Sequence, residues 1–350
     1  MTEKELNPAI LDVTVRDGSY ALDYQFETDQ VAGIAGALDR TGIEYIEVSH
    51  GCGLGAGENL GLAAKATDAE YVGAAKGAVR RAKIGVIAGA APVTQFKDID
   101  TIIEDVDFIR YFTNCANPRG IENNLNYTKK RRPDLPVFLQ LTNSTRRPAK
   151  EIVKAGLVAQ DLGVEIIYVV DTTSHFLPEE VSELVSELTS RCKIGIGFHG
   201  HDSLRMAVAN TLAAVSAGAA SIDASLRGIG RGGGNAQLEI VVSLMQRFGL
   251  RRDLDLKALV AAGTELIEPI MPPRRGVDGA DLVMADSNIS LYPLSVFQML
   301  CEKAHVSFAA FVKKLGGDGS VVEPQIEDVK RALNALGADA DKALREIGVG

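Results

Sequence analysis

Short apolar, β-branched runs recur along the chain, and longer stretches with helical periodicity separate them. Side chains alternate between two faces of a strand, whereas apolar residues at every third or fourth position indicate a helix. Alternation of strands with helices predicts a parallel sheet, and eight such units favour a closed (β/α)8 barrel over an open sheet. The strand-like runs are residues 9–15, 45–48, 84–87, 108–112, 137–141, 166–170, 194–198 and, most weakly, 221–224. The helix-like segments include residues 28–40, 98–104, 149–162, 178–190 and 203–217.

The pattern changes after a glycine-rich stretch at residues 228–234. One more helix, predicted at residues 235–248, closes the barrel, and the later segments read as helices without strands between them. We therefore predict two domains, a barrel over residues 1–254 and a mainly helical C-terminal domain over residues 255–350. The later helix-like segments are residues 256–267, 293–304, 308–314 and 326–336.

Composition narrows the class of protein. The 350 residues include 37 Lys and Arg against 46 Asp and Glu, a net charge of −9, which argues against a nucleic-acid partner. The four cysteines form no CxxC pair, which favours a reducing compartment over a disulfide framework. No run approaches the roughly 20 apolar residues of a membrane span, and the first eight residues lack an apolar signal core. We expect a cytoplasmic protein without a membrane partner.

Two histidines mark the end of the predicted seventh strand. His199 and His201 flank Gly200, so on a strand both side chains point the same way. Asp17, just past the first apolar run, reaches the same barrel mouth, where strands carry their chemistry. One carboxylate and two imidazoles suit Mn²⁺, Co²⁺ or Fe²⁺, with Mg²⁺ or Zn²⁺ as alternatives. The simpler interpretation is a pair of hydrogen-bonded histidines on a surface turn.

Polar residues beside these predicted ligands are candidates for catalysis. Arg16 always carries charge and can stabilise an oxyanion, or it forms a salt bridge to Asp17 or Glu47. Glu47 and His50, at the end of the second strand, are candidates for orienting Arg16 and lining the pocket, or they form a buried structural pair. Asn235 is predicted as a helix cap, with a weak fourth metal ligand as the alternative.

These motifs resemble a known family. Asp-Val-Thr-Val-Arg-Asp-Gly at 12–18, His-Gly-His-Asp at 199–202 and Gly-Gly-Asn-Ala at 233–236 resemble the metal-dependent pyruvate lyases and synthases, which include hydroxymethylglutaryl-CoA lyase and isopropylmalate synthase. Glu-Val-Ser-His-Gly-Cys-Gly-Leu-Gly at 47–55, Tyr-Val-Val-Asp at 168–171 and the helical tail look most like the 4-hydroxy-2-oxovalerate aldolases. The likeness runs from about residue 9 to beyond residue 300.

The resemblance implies a TIM barrel, an Mn²⁺-type ion on Asp17, His199 and His201, and substrate binding by Arg16 and His199. It implies cleavage of a 4-hydroxy-2-oxo acid into pyruvate and an aldehyde, or the reverse, with Arg16 stabilising the pyruvate enolate. It also implies an acylating aldehyde dehydrogenase as a partner of the tail, and we expect a homo-oligomer.

Several positions depart from the aldolase pattern. Tyr20 stands where those aldolases carry a histidine that transfers protons, and a phenol with a pKa of about 10 is a poor base at neutral pH. Asn114 and Asn143 replace two further histidines, whereas Thr172 keeps a hydroxyl where the family has a substrate-contacting serine. Tyr292 is a further candidate for the pocket. The metal and pyruvate half is kept and the aldehyde half is rebuilt, which predicts a non-standard aldehyde or donor.

Two alternatives remain open. A Claisen-type synthase that condenses an acyl-CoA with a 2-oxo acid would use the same metal ligands. A catalytically silent barrel that serves as a scaffold for a dehydrogenase would explain the loss of the histidine at Tyr20, but it has no need of Asp17, Arg16, His199 and His201 together.

Overall fold

The computed structural model of the chain describes residues 7–271, 278–290, 293–317, 321 and 324–348. Within these residues, eight parallel strands close into a barrel in the order of the sequence, which confirms the predicted fold. Each strand pairs with the next, and the eighth returns to pair with the first. The strands are β1 Ala9–Asp12, β2 Tyr45–Glu47, β3 Lys83–Ala88, β4 Phe108–Asn114, β5 Val137–Thr142, β6 Ile166–Asp171, β7 Gly195–Gly200 and β8 Ser221–Ala224.

Helices follow the strands and surround the barrel. They are α1 Thr28–Thr41, α2 Ala56–Asn59, α3 Asp68–Ala78, α4 Phe96–Asp100, α5 Glu122–Arg131, α6 Ala149–Asp161, α7 Pro178–Arg191, α8 Ala207–Ser216 and α9 Leu238–Arg247. The C-terminal region is helical as predicted, with α10 Leu256–Ala262, α11 Gly279–Asp286, α12 Leu294–Ala304, α13 Phe308–Gly316, α14 Ile326–Ala335 and α15 Ala340–Glu346.

Three predicted boundaries were wrong near the barrel mouth. β1 ends at Asp12 rather than at residue 15, because the chain turns there and the backbone N–H of Asp17 donates to the carbonyl of Val13 at 2.8 Å. α8 begins at Ala207 after the turn at residues 202–206. α9 begins at Leu238 with Gln237 as its cap, so Asn235 is not a helix cap and its amide is committed elsewhere.

The alternation of side chains divides each strand between two environments. The outward residues of the strands join the large hydrophobic cluster under the helices, as Ile109 and Val169 do. The inward residues near the N-terminal end of the barrel form a separate aromatic plug of Phe108, Phe138 and Tyr168, whose rings stack or tilt against one another. The polar inward residues therefore lie above a closed hydrophobic floor.

The hydrophobic cores of the described residues fall into two main clusters. The cluster around the barrel extends to Ile267, beyond the end of α10. A second cluster, which begins at Met284 and includes Phe297 and Phe311, holds the C-terminal helices together. The division at residue 255 stays a prediction.

No helix within the described residues has the length and apolar character that crossing a membrane requires.

Gly85 provides a test of the aromatic plug. A Cβ at Gly85 would lie 2.5 Å from three ring carbons of Phe108, so the buried ring would have to move. We expect Gly85→Ala to destabilise the protein by about 1–3 kcal/mol, as overpacked cores do. Gly73, inside α3, has no atom within 4 Å of an added Cβ, and Gly73→Ala should stabilise the protein by up to about 1 kcal/mol through helix propensity. Urea denaturation measures both, and equal stability of the Gly85→Ala variant and the parent would contradict this packing.

Candidate active site

The mouth of the barrel collects charged side chains from strands that are otherwise apolar. Glu47, Arg110, His199 and Asp223 each lie two residues beyond an inward position of the lower layer, so they point into the barrel above the aromatic plug. All four are at most 2% exposed. Buried charged side chains need partners, and each of these four has one among the others.

The structure brings the three predicted metal ligands together. One ligand atom from each of Asp17, His199 and His201 lies within 4.8 Å of the other two. All three side chains are buried. The turn after β1 places Asp17, the end of β7 places His199, and His201 lies one residue beyond β7 in an isolated bridge with Asn235. This cluster is the feature that the spacing of the sequence motifs predicted.

The nitrogens of the two histidines differ in their partners. Nδ1 of His199 donates to Oδ2 of Asp223 at 2.8 Å, which fixes the tautomer and leaves Nε2 with its lone pair. Nδ1 of His201 is buried without a hydrogen-bond partner and lies 4.0 Å from Oδ1 of Asp17. Burial lowers the pKa of His201 to about 3, so the ring is neutral at physiological pH. Neutral imidazoles are the form that binds a metal.

Asp17 is held as a carboxylate. Burial alone would raise its pKa, but the guanidinium of Arg16, the two histidines and the backbone N–H of Arg231 together hold the pKa well below its ordinary value. Its Oδ1 accepts from the backbone N–H of Arg231 and from Nδ2 of Asn235, both at 3.1 Å. Oδ1 of Asn235 is itself buried without a partner. Gly230 allows this close approach, because a Cβ there would lie 2.3 Å from Nδ2 of Asn235.

A continuous row of ion pairs connects Asp17 with His199, two of the three predicted metal ligands. Arg16 pairs with Asp17 through Nη1, and its Nε donates to Glu47 at 2.7 Å. Arg110 donates to both oxygens of Glu47 at 2.6 and 2.8 Å and to Asp223 at 2.6 Å. Asp223 in turn accepts from His199. The salt-bridge interpretation of Arg16 is therefore correct, with both Asp17 and Glu47 as partners. Arg16 also lines the pocket, and its role toward an oxyanion stays a prediction.

Arg16 retains one donor for a ligand. Its Nη2 is buried without a hydrogen-bond partner. Burial acts to lower the pKa of Arg16, but the carboxylates of Asp17 and Glu47 raise it above the ordinary value, so the charge is permanent. A fixed cationic donor next to the three predicted metal ligands is well placed to bind a developing negative charge.

Tyr20 also lines the pocket, on the short helix after Asp17. The guanidinium carbon of Arg231 lies 5.7 Å from the centre of its ring, and the ring of Tyr24 packs edge-on at 5.4 Å. Burial, together with the nearby Cys52 thiol, raises the pKa of Tyr20 well above its ordinary value. The hydroxyl therefore keeps its proton, which suits a proton donor and not a base.

The remaining predicted site residues lie in different places. Thr172 lines the pocket, and its Oγ1 accepts from the backbone N–H of Asn143 at 2.9 Å. His50 lines a neighbouring cavity instead, with Nε2 donating to the carbonyl of Leu62 and Nδ1 accepting from the N–H of Cys52. Tyr292 lies outside the described residues. The substrate contact of Thr172 and the catalytic roles of His50 and Tyr292 stay predictions.

The sequence-based analysis missed three charged residues of the site. Arg110 and Asp223 each interrupt an apolar strand at an inward position, and that alternation is a signal that could have identified them. Arg231 sits in the glycine-rich loop after β8, and no local pattern predicts that its side chain turns into the pocket. The pocket has a volume of about 510 Å³ and includes Ser290, Pro293 and Gln325 from the C-terminal region.

The chain is similar in sequence to two kinds of known enzyme. Oxaloacetate decarboxylase from Mycobacterium tuberculosis H37Rv is 35% identical over 341 residues, which are 97% of this chain and 99% of that protein. 4-Hydroxy-2-oxovalerate aldolase from Moorella thermoacetica is 35% identical over 283 residues, which are 80% of this chain and 82% of that protein.

Solved structures share the fold. The N-terminal domain of a Bacteroides vulgatus protein matches with a TM-score of 0.69 and 23% identity, over 83% of this chain and 96% of that structure. The carboxyl transferase domain of Rhizobium etli pyruvate carboxylase with pyruvate matches with a TM-score of 0.77 and 16% identity, over 99% of this chain and 64% of that structure. At these identities the likeness shows the fold alone.

A sequence model of one family covers the whole barrel. The HMGL-like model matches residues 7–266, from the residues just before β1 to the helical turn after α10. This match includes Asp17, His199 and His201 together with the row of ion pairs that connects them. By this match and by its similarity to the decarboxylase and the aldolase, the chain belongs to the HMGL-like family.

Proposed function

We propose that this protein breaks, or in reverse forms, the C3–C4 bond of a 2-oxo acid and thereby generates the enolate of pyruvate. The broader class is a carbon–carbon lyase of the HMGL-like family. The observation that carries the proposal is the buried cluster of Asp17, His199 and His201 beside Arg16, whose Nη2 has no partner in the protein. This arrangement combines a cation site with a donor for an oxyanion.

The three side chains fit a divalent first-row cation. One carboxylate held in its charged form and two imidazoles suit such an ion, and the unpartnered nitrogen of His201 and oxygen of Asn235 are buried atoms that a cation would satisfy. When bound, the cation supplies Lewis acidity toward the keto oxygen of the substrate. We propose Mn²⁺, with Co²⁺, Mg²⁺ and Zn²⁺ as alternatives.

Arg16 stabilises the charge that the reaction develops. As the C3–C4 bond breaks, negative charge accumulates on the oxygen at C2, and Nη2 of Arg16 donates to it. Glu47 holds the Nε edge of the guanidinium, and Arg110 holds Glu47, so the donor is oriented before the substrate binds. Such preorganised donors in a water-poor site are worth about 3–4 kcal/mol of transition-state stabilisation.

An aldehyde is the first candidate for the second product. Retro-aldol cleavage requires a base that takes the proton from the C4 hydroxyl of the substrate. Of the described residues that line the pocket, the ionisable ones other than the proposed metal ligands are Arg16, Tyr20, Cys52 and Arg231. None is a carboxylate or an imidazole, and Tyr20 keeps its proton. An aldolase reaction here would therefore need a different route for this proton. Tyr20 and Asn143 line the pocket at positions where the aldolases carry histidines, which supports a non-standard aldehyde.

Carbon dioxide is the second candidate, and the absence of a base among these described residues favours it. In the decarboxylation of oxaloacetate the C3–C4 bond breaks, its electron pair stays with C3 as the enolate, and C4 leaves as CO₂. The enolate then takes one proton at C3, which the neutral hydroxyl of Tyr20 can donate and recover from water. The relative named for this reaction aligns with nearly the whole chain.

The choice of product bears on the partners. An aldehyde product is the reason to expect an acylating aldehyde dehydrogenase at the C-terminal region, whereas CO₂ requires no such partner. We propose that the protein acts on small 2-oxo acids and retain a homo-oligomer as a prediction.

Enolate formation can be tested without knowledge of the second product. With Mn²⁺ and pyruvate in D₂O, we expect the protein to exchange the methyl protons of pyruvate, followed by proton NMR. Release of CO₂ from oxaloacetate above the rate with Mn²⁺ alone would favour the decarboxylase, and cleavage of a 4-hydroxy-2-oxo acid the aldolase. Pyruvate consumption that depends on acetyl-CoA would indicate the Claisen-type synthase. No exchange with any of the four cations would overturn the proposal.

The proposed metal ligands can be tested directly. We expect Asp17→Asn and His201→Ala to lower the affinity for Mn²⁺ at least 100-fold, measured by calorimetry, because each removes one of three ligands. His305→Asn is the matched control, since His305 is exposed at the end of α12 with a φ of 54° that asparagine tolerates. Unchanged Mn²⁺ binding in Asp17→Asn would remove this assignment.

The role of Tyr20 predicts a different pattern. Tyr20→Phe removes only the hydroxyl, so methyl-proton exchange should fall about 100-fold or more, while Mn²⁺ affinity stays the same. Tyr24→Phe is the control, because Tyr24 packs against Tyr20 and its hydroxyl contacts Cys52 at 3.4 Å. An equal loss in both variants would indicate a packing role for Tyr20.

A further inference from the structure

We propose that Arg231 binds a second carboxylate of the substrate, so that the enzyme selects 2-oxo dicarboxylic acids over monocarboxylic ones. The inference rests on the proposed function, because it names the substrate class of the same pocket. It assigns to Arg231 a role in specificity that is separate from the cation and from Arg16.

The position of Arg231 is set by its backbone. Its N–H donates to Oδ1 of Asp17 at 3.1 Å, which holds the residue beside the three predicted metal ligands. The guanidinium then passes near the ring of Tyr20, and its Nη2 donates to Oγ of Ser290 at 2.9 Å. Because the anchor is a backbone group, the side chain can be replaced without loss of the contact to Asp17.

Arg231 differs from the neighbouring arginines in its partners. Arg227, four residues earlier, pairs with Glu268 at 2.6 Å, and Arg205, in the turn after β7, pairs with Asp202 at 3.0 Å. Within the described parts of the chain, Arg231 forms no ion pair with a carboxylate, and its Nε is buried without a hydrogen-bond partner. A buried charged donor without an acceptor is costly, which indicates that a ligand supplies the anion.

The charges of the pocket lead to the same conclusion. Asp17, Glu47 and Asp223 face the two buried cations Arg16 and Arg110, so a divalent metal would leave one net positive charge in this cluster. The carboxylate of any 2-oxo acid cancels that charge. Arg231 adds another positive charge to the pocket wall, and a second carboxylate on the substrate would balance it.

L-Malate and L-lactate form a matched pair of stable probes. They differ by one carboxylate on C3, as oxaloacetate differs from pyruvate. With the Mn²⁺-loaded protein, calorimetry should show that malate binds about 10- to 100-fold more tightly than lactate, the effect of one or two hydrogen bonds to a charged group. Equal affinity of the parent protein for the two acids would overturn the proposal without any variant.

Variants assign the difference to Arg231. Arg231→Gln should weaken malate binding about 10- to 100-fold and leave lactate binding within about threefold, whereas Arg231→Lys should lie between. Arg205→Gln is the matched control, because it removes an exposed arginine on the loop after β7 and should change neither affinity. A structural role would instead weaken both acids, and that result would also overturn the proposal.

Steady-state kinetics with oxaloacetate give a second measure. Arg231 would bind the C4 carboxylate of oxaloacetate before C4 leaves as CO₂, and it would therefore stabilise the bound substrate. Arg231→Gln should raise KM about 10- to 100-fold and change kcat less. A fall in kcat at constant KM would contradict this role. Failure of the proposed function would appear separately, as absence of methyl-proton exchange with pyruvate.

Discussion

A row of alternating buried charges fixes the geometry of this active site. Taken in spatial order, the charges are those of Asp17, Arg16, Glu47, Arg110 and Asp223, and Asp223 accepts a hydrogen bond from His199 at the end of the row. Each charge is removed from water, and its neighbours in the row replace the lost solvation. Removal of a single member would leave an uncompensated buried charge, which typically costs about 3–5 kcal/mol. The row therefore holds Asp17 and His199, two of the three predicted metal ligands, in one arrangement.

The row of charges positions the side chains of the site more than it stabilises the folded protein. Well-packed apolar side chains could fill the same space at equal or lower free energy. The barrel keeps the charges in its upper half and closes the lower half with the plug of Phe108, Phe138 and Tyr168. The guanidinium of Arg110 lies 4.8 Å from the centre of the Tyr168 ring, where the polar layer meets the aromatic one. A dry floor below the charges keeps their interactions strong.

The wall of the pocket is built from distant parts of the chain. Ser290, Pro293 and Gln325 come from the C-terminal region, and Asn288 accepts from Oγ1 of Thr173 at 2.6 Å, which joins that region to the loop after β6. The layer that would contact cation and enolate thus belongs to the barrel, whereas the layer that would contact the rest of the substrate includes later segments.

The sequence alone predicted the barrel and the convergence of the three candidate metal ligands. Alternation of apolar runs with helical periods is a local property, and residues at the ends of parallel strands must converge, so Asp17, His199 and His201 could be assembled without coordinates. The second cluster of hydrophobic residues in the C-terminal helices also follows from periodicity.

Only the tertiary structure decided which charges are paired. Arg16, Arg110 and Arg231 look alike in the sequence, but the first two face buried carboxylates. Arg231 instead lines the pocket, and its Nε has no hydrogen-bond partner within the described residues. His50 and Asn235 show the same limit, because side-chain direction in loops depends on contacts between distant segments and not on local pattern.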